Sequence, residues 1–265
     1  MHIAFGLFLV WYSYNSTTPE ERKQILHYIS NASPFWVGVS VAIGILSHIS
    51  RAIRWKYLLE PMGYRPKTIN TIFIVLISYF ANLGIPRSGE ILRATALTTY
   101  EKVPFEKGFG TIVTERVIDL LMLLMIILVT LVLQTDFILG FLEQKGVNLI
   151  GAIGILVVGI VGLFLGSYII RKSKSPLALK LKAFLGGLQD GVLSVFKMKN
   201  KWAFILHTLF IWTAYFAMFW VIKYTVEETV PLSMGQLLVA FVAGAFAMST
   251  TNGGIGLYPI AVSAA

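Results

Sequence analysis

Three short runs gather polar side chains in an otherwise apolar chain. They are Asn82-Leu83-Gly84-Ile85-Pro86-Arg87-Ser88-Gly89-Glu90-Ile91-Leu92-Arg93, then Glu115-Arg116-Val117-Ile118-Asp119, then Ser249-Thr250-Thr251-Asn252-Gly253-Gly254-Ile255-Gly256. Arg87, Glu90 and Arg93 repeat at i, i+3, i+6, so neighbours share a helix face. Glu115 and Asp119 stand at i, i+4, and Arg116 precedes Asp119 by three. The first two runs together hold three arginines and three carboxylates, a formal sum of zero. Neutrality of this kind is what a low-dielectric surrounding demands. The planar guanidinium fork binds phosphate through paired N–H bonds, so a phosphate could enter by displacing a carboxylate from an arginine. The plainer alternative is a set of internal ion pairs holding a kinked hairpin, or charges at helix ends.

The elements that must position these groups are membrane helices. Of the 265 residues 56% are hydrophobic and 13% charged, with a mean hydropathy of +0.75. Soluble domains are about a quarter charged, so a water-soluble globule, a disordered tail and a disulfide scaffold are excluded. The chain has no cysteine, hence no disulfide, thiolate metal site or thiol nucleophile. About 20 apolar residues cross a bilayer core. The expected segments are Pro34–Ser50, Thr68–Ile85, Val117–Leu133, Val147–Ile170, Trp202–Ile222 and Leu232–Ser249, with Ile3–Tyr14 apolar but too short to span alone. No period-2 alternation suggests a membrane barrel. The expected class is all-α: a polytopic integral membrane helix bundle forming one domain over residues 1–265. Trp11, Trp36, Trp55, Trp202 and Tyr224 read as interfacial anchors.

Charge sets the topology. The net charge is +9, from 22 Lys+Arg against 13 Asp+Glu. The loop 171–201 carries eight basic residues against Asp190, and the loop 51–67 five against Glu60, so both belong on the cytoplasmic side. The two assignments collide unless residues 68–110 return to the side they left. A re-entrant hairpin that breaks at Gly84-Ile85-Pro86 and returns through residues 87–100 resolves this; an even number of full crossings would also satisfy parity. Non-helical backbone at membrane depth needs protein or a water-filled cavity around it, so a polar intramembrane cavity is expected near residues 82–93. Leu232–Asn252, ending in Asn252-Gly253-Gly254, resembles a mirror partner of Thr68–Pro86. Two broken helices in two halves of a chain point to a transport site.

At these runs the sequence resembles the flippase-like family related to the membrane half of lysylphosphatidylglycerol synthases. The matches are Arg51-x-x-Arg54-Trp55-x-x-Leu58-Leu59, Asn82-x-x-x-Pro86-Arg87-x-Gly89-Glu90-x-x-Arg93, Glu115-Arg116-x-x-Asp119 and Gly253-Gly254-x-Gly256. The resemblance implies a polytopic bundle with two re-entrant elements around a cavity. It also implies lipid translocation between leaflets, with Asn82, Arg87, Glu90, Arg93, Glu115, Arg116, Asp119, Asn252, Gly253, Gly254 and Gly256 as substrate-contacting positions. Thr251, Asn252 and Pro259 depart from the family's glycine motif, which sits among prolines and is followed by an acid. The family continues through further helices past Ala265, implying a truncated form, and the absence of an aminoacyl-transferase domain removes lysyl transfer from what this chain alone should do.

The function expected is therefore an ATP-independent lipid translocase, flippase- or scramblase-like, in the plasma (inner) membrane. Its partners would be membrane lipids with an anionic phospholipid or lipid-linked headgroup. Arg87, Arg93 and Arg116 would bind the phosphate, while Glu90, Glu115 and Asp119 hold the arginines in its absence or contact a cationic headgroup. Two other readings stand beside it: an integral-membrane enzyme acting on a lipid-linked phosphate with Mg²⁺ on the carboxylates, and a non-catalytic scaffold. Gly159, Gly162 and Gly166 read as close helix packing, or as a homodimer contact. Leu177–Phe196 reads as an amphipathic helix on the inner leaflet or a solvated connector. The histidines lack ligand spacing and no phosphate-binding glycine–lysine loop occurs, so no cofactor and no metal are expected. Nucleic acid is not an expected partner.

Overall fold

The computed structural model describes residues 2–85, 88–135 and 198–265, with isolated positions between 139 and 195. The described residues form helices and no strand. α1 (His2–Ser16) is followed by α2 (Pro19–Asn31), a polar helix over residues that none of the expected segments covers. A capping box starts α2: the Thr18 N–H donates to Glu21 Oε2 at 2.6 Å and the Glu21 N–H donates to the Thr18 hydroxyl at 3.2 Å. These bonds hold the Glu21 carboxyl below its ordinary range.

α3 (Pro34–Leu59) runs past the expected end at Ser50. Its buried positions continue at helical spacing through Arg51, Arg54, Trp55, Leu58 and Leu59. Hydropathy alone stops where the polar residues begin, but the periodic face does not. α6 (Phe105–Leu133) likewise starts before Val117. The other helices among the described residues are α4 (Thr68–Gly84), α5 (Ser88–Glu101), α7 (Lys201–Ile222), α8 (Met234–Thr250) and α9 (Leu257–Ser263). Among the described residues three helices are long and apolar enough to cross a membrane, those built on α3, α6 and α7. The expected span Val147–Ile170, with Gly159 and Gly166, and the stretch Leu177–Phe196 lie mostly outside the described residues.

α4 and α5 form an antiparallel hairpin. At its open end the Lys67 N–H donates to Glu101 Oε2 at 3.1 Å and Asn70 Nδ2 to Glu101 Oε1 at 2.5 Å. At its closed end the Gly89 N–H donates to Asn82 Oδ1 at 2.8 Å and the Ser88 hydroxyl to the Ala81 carbonyl at 3.2 Å. The chain thus reverses between α4 and α5, while α4 itself is an unbroken helix over Thr68–Gly84. The legs hold 17 and 14 residues, or about 25 and 21 Å at 1.5 Å per residue, short of the roughly 30 Å core. Gly89 is required here, because a Cβ would collide with the Ser78 carbonyl and the Asn82 side chain.

The second break also reverses the chain. Gly253, Gly254 and Gly256 have φ of 62°, 80° and 76°, a left-handed path that side chains resist. α9 then lies back along α8, Tyr258 against Gly244. The turn between them touches α4 and α1. A Cβ on Gly256 would come within 2.5 Å of the Gly6 carbonyl.

α3 and α7 make the broadest packing through small residues: the Ser40 hydroxyl donates to the Met218 carbonyl at 3.2 Å, and Gly44 admits the Met218 side chain. The buried core gathers Trp55 and Leu59 of α3, Val75 of α4, Ala94 and Leu97 of α5, Ile112 of α6 and Phe204 of α7.

Candidate functional site

Three helices bring their charges to one point inside this core. α6 contributes Glu115, fully buried, and Asp119 one turn later, 9% exposed. α3 contributes Arg51 and Arg54 and α5 contributes Arg93, at 2%, 0% and 3% exposure. Arg51 Nη1 lies 2.5 Å from Glu115 Oε1 and 2.7 Å from Asp119 Oδ2, bridging the two carboxylates. Arg54 Nη2 does the same at 3.1 and 3.0 Å, to Glu115 Oε1 and Asp119 Oδ1. Arg93 Nη2 reaches the other Glu115 oxygen at 2.8 Å. Each carboxylate oxygen therefore has at least one guanidinium partner. Arg116 sits at the rim, its side chain 44% exposed, 3.6 Å from Glu115 Oε1 and 3.9 Å from Asp119 Oδ2. Those separations are too long for hydrogen bonds.

Neutral groups fix the arginines. Arg51 Nη2 donates to the Tyr215 hydroxyl at 3.0 Å and Arg54 Nη1 to the Thr208 hydroxyl at 3.1 Å, both on α7. The Arg93 guanidinium lies 3.8 Å above the centre of the Trp55 ring, a cation–π contact removed from water. The Trp55 indole N–H donates to the Thr111 hydroxyl of α6 at 2.8 Å. Trp55 is fully buried and so is no interfacial anchor; it is the floor under Arg93. Trp202 and Trp11, at 70% and 60% exposure, keep surface positions.

The network differs from the one read in sequence. Arg93, Glu115, Arg116 and Asp119 come together as expected. Arg51 and Arg54, assigned to a basic loop, are buried members instead. Glu90 pairs with no cation among the described residues, and its Oε2 is buried without a hydrogen-bond partner. Arg87 lies outside the described residues. Asn82 works within its hairpin, holding the Gly89 N–H. Gly253, Gly254 and Gly256 form the second turn, beside α1 and α4; the side chain of Asn252 is not among those described. The helical periodicity of Arg51, Arg54, Trp55, Leu58 and Leu59 was the signal that places the two missed arginines on an inward face.

The change of membership alters the charge. Among the described residues four guanidinium groups face two carboxylates, a formal excess of two positive charges in place of the neutral set expected. Arg51, Arg54 and Arg93 each also keep a buried Nε–H without a partner. An incomplete acceptor set around buried arginines is a place for an anion. Among the described residues no group of three His, Asp or Glu could hold a metal ion.

The model of the lysylphosphatidylglycerol synthase TM region matches residues 1–265, the whole chain, which therefore belongs to that family. Over 102 residues it is 30% identical to glycosyltransferase AglD of Haloferax volcanii, covering 38% of this chain and 16% of that protein. Over 99 residues it is 31% identical to a UPF0104 membrane protein of Methanocaldococcus jannaschii, covering 36% of this chain and 30% of that protein. A UPF0104 membrane protein of Methanothermobacter thermautotrophicus is 27% identical over 111 residues, 41% of this chain and 32% of that protein. These matches span less than a third of each relative's length. No solved structure matches the chain.

Proposed function

We propose that this member of the lysylphosphatidylglycerol synthase transmembrane family moves a phosphate-bearing lipid between leaflets without ATP, in the plasma membrane. The observation that carries the reading is the surplus of guanidinium over carboxylate in a cluster reached from three helices. Such a surplus suits an anionic headgroup. Arg116, at the half-exposed rim, would meet the phosphate first. Arg93, on the hairpin α4–α5, would exchange Glu115 for a phosphate oxygen, so that occupancy of the site is felt by an element able to shift against α3 and α6. The two hairpins, each too short to cross, would enter the bilayer part-way and let a polar head pass along their broken tips. An enzyme using Mg²⁺ on Glu115 and Asp119 is less well supported, because every oxygen of that pair already has an arginine partner.

The test is reconstitution into liposomes with a fluorescent phospholipid and a fluorescent lipid-linked phosphate, scored by surface quenching. Wild-type protein should move at least one of them. Arg116→Gln and Arg93→Gln, checked for helicity by circular dichroism, should slow that movement about tenfold or more, as expected when a charge-assisted phosphate contact is lost. Undiminished movement in both variants would remove the cluster from the transport path.

A further inference from the structure

The charge balance of the cluster selects among phosphates. We infer that the headgroup it accepts carries two negative charges, as a phosphomonoester or a doubly esterified diphosphate does, rather than the single charge of a phosphodiester. This rests on the proposed anionic-headgroup reading and narrows it.

Arg51, Arg54 and Arg93 are nine-tenths or more buried, and Glu115 and Asp119 are the carboxylates that pair with them among the described residues. Three buried guanidinium groups against two carboxylates leave one uncompensated charge in the interior, and Arg116 adds a second at the rim. Glu90 stands one helical turn before Arg93 but pairs with no described cation, so it does not cancel the excess by contact. A buried charge is costly unless paired. A dianion brings the cluster to formal neutrality, whereas a monoanion leaves one positive charge unpaired. The donors match the same demand. Arg116 makes no hydrogen bond to either carboxylate, and three Nε–H groups have no acceptor, so unfilled donors remain for a terminal phosphate with three free oxygens. A diester, with two of its oxygens esterified, offers two unsubstituted acceptors.

The experiment uses the whole chain in phosphatidylcholine nanodiscs, titrated at pH 8 with dodecyl phosphate, a dianion, or dodecyl methyl phosphate, its monoanionic diester. Binding is read from intrinsic tryptophan fluorescence, with Trp55 against Arg93 as the internal reporter. The monoester should bind about tenfold or more tightly than the diester, since a unit charge a few ångströms from a partly buried partner is worth at least that factor. The preference should shrink below roughly pH 6, where a phosphomonoester takes up its second proton. Arg116→Gln, which lowers the excess from two to one, should largely abolish the preference, and Arg116→Lys should retain it. Lys23→Gln, an exposed charge on α2, should leave it unchanged, separating site selectivity from general attraction to a basic protein. Equal binding of the two probes, or an unchanged preference in Arg116→Gln, overturns the charge-matching inference while leaving an anion site in place. Failure of both probes to bind overturns both that inference and the anionic-headgroup reading beneath it.

Discussion

Replacing Glu115 with glutamine removes the acceptor shared by three guanidinium groups without changing side-chain volume. Glu115 is fully buried and is met by Arg51 at 2.5 Å, Arg93 at 2.8 Å and Arg54 at 3.1 Å. The amide keeps one acceptor oxygen but turns an NH2 group toward an arginine, and the formal excess rises from two positive charges to three. Breaking a buried ion pair by deleting one partner costs about 3–5 kcal/mol, chiefly because the surviving charge stays buried. For a chain of this size that corresponds to a fall in unfolding midpoint of roughly 6–20 °C. Arg116→Gln is the contrast. Its side chain is 44% exposed and its ion-pair distances are 3.6 and 3.9 Å, so it should cost about 0–1 kcal/mol and leave less positive excess behind. Both are measured by thermal unfolding in nanodiscs, followed by the fluorescence of the six tryptophans. Adding Arg93→Gln to Glu115→Gln should return part of the loss, since the double variant no longer leaves Arg93 charged without its acceptor. A Glu115→Gln stability within about 1 kcal/mol of wild type, or an Arg116→Gln loss as large as that of Glu115→Gln, would refute the view that the interior ion pairs hold these helices together.

Gly89→Ala should separate α5 from α4 and abolish lipid movement in reconstituted vesicles, because its Cβ has no room beside Ser78 and Asn82; Gly84→Ala, with open space around it, should be neutral or mildly stabilising by up to about 1 kcal/mol. Trp55→Phe keeps a ring under Arg93 but orphans the Thr111 hydroxyl as acceptor, and should cost about 1–2 kcal/mol by thermal unfolding, against about 3–5 for Trp55→Ala. Glu21 is held below its ordinary carboxyl range by Thr18, so its cap contributes above the unfolded value of about 4.3 and is lost as pH falls through the lower folded value. Faster amide exchange at Thr18 only in that acid window checks it, and Glu21→Gln should remove most of the pH dependence.

The all-α membrane class comes from composition and pattern together: a chain this apolar has no soluble solution, and its long uniform apolar runs without period-2 alternation satisfy their backbone in lipid as helices rather than as a barrel. The reversal between α4 and α5 was legible in part, because two basic loops could share one side if the chain turned back near Gly84-Ile85-Pro86, although an even number of crossings would have met the same parity. Glu115, Asp119 and Arg93 stood out as charges among apolar residues. Arg51 and Arg54 did not, since a hydropathy window ends at the first arginine and takes the next residues for a loop. Their placement depended on the continuing helical face through Trp55 to Leu59 and on α7 offering Thr208 and Tyr215 as partners. Helix α2 was hidden for the opposite reason: its residues are polar, and a capping box rather than burial defines its start. Sequence spacing tells which charges share a turn of one helix. Whether the sum of a cluster is zero or positive depends on which helices meet, and packing across α3, α5, α6 and α7 alone decided that, because ion pairing acts over a few ångströms of space regardless of distance along the chain.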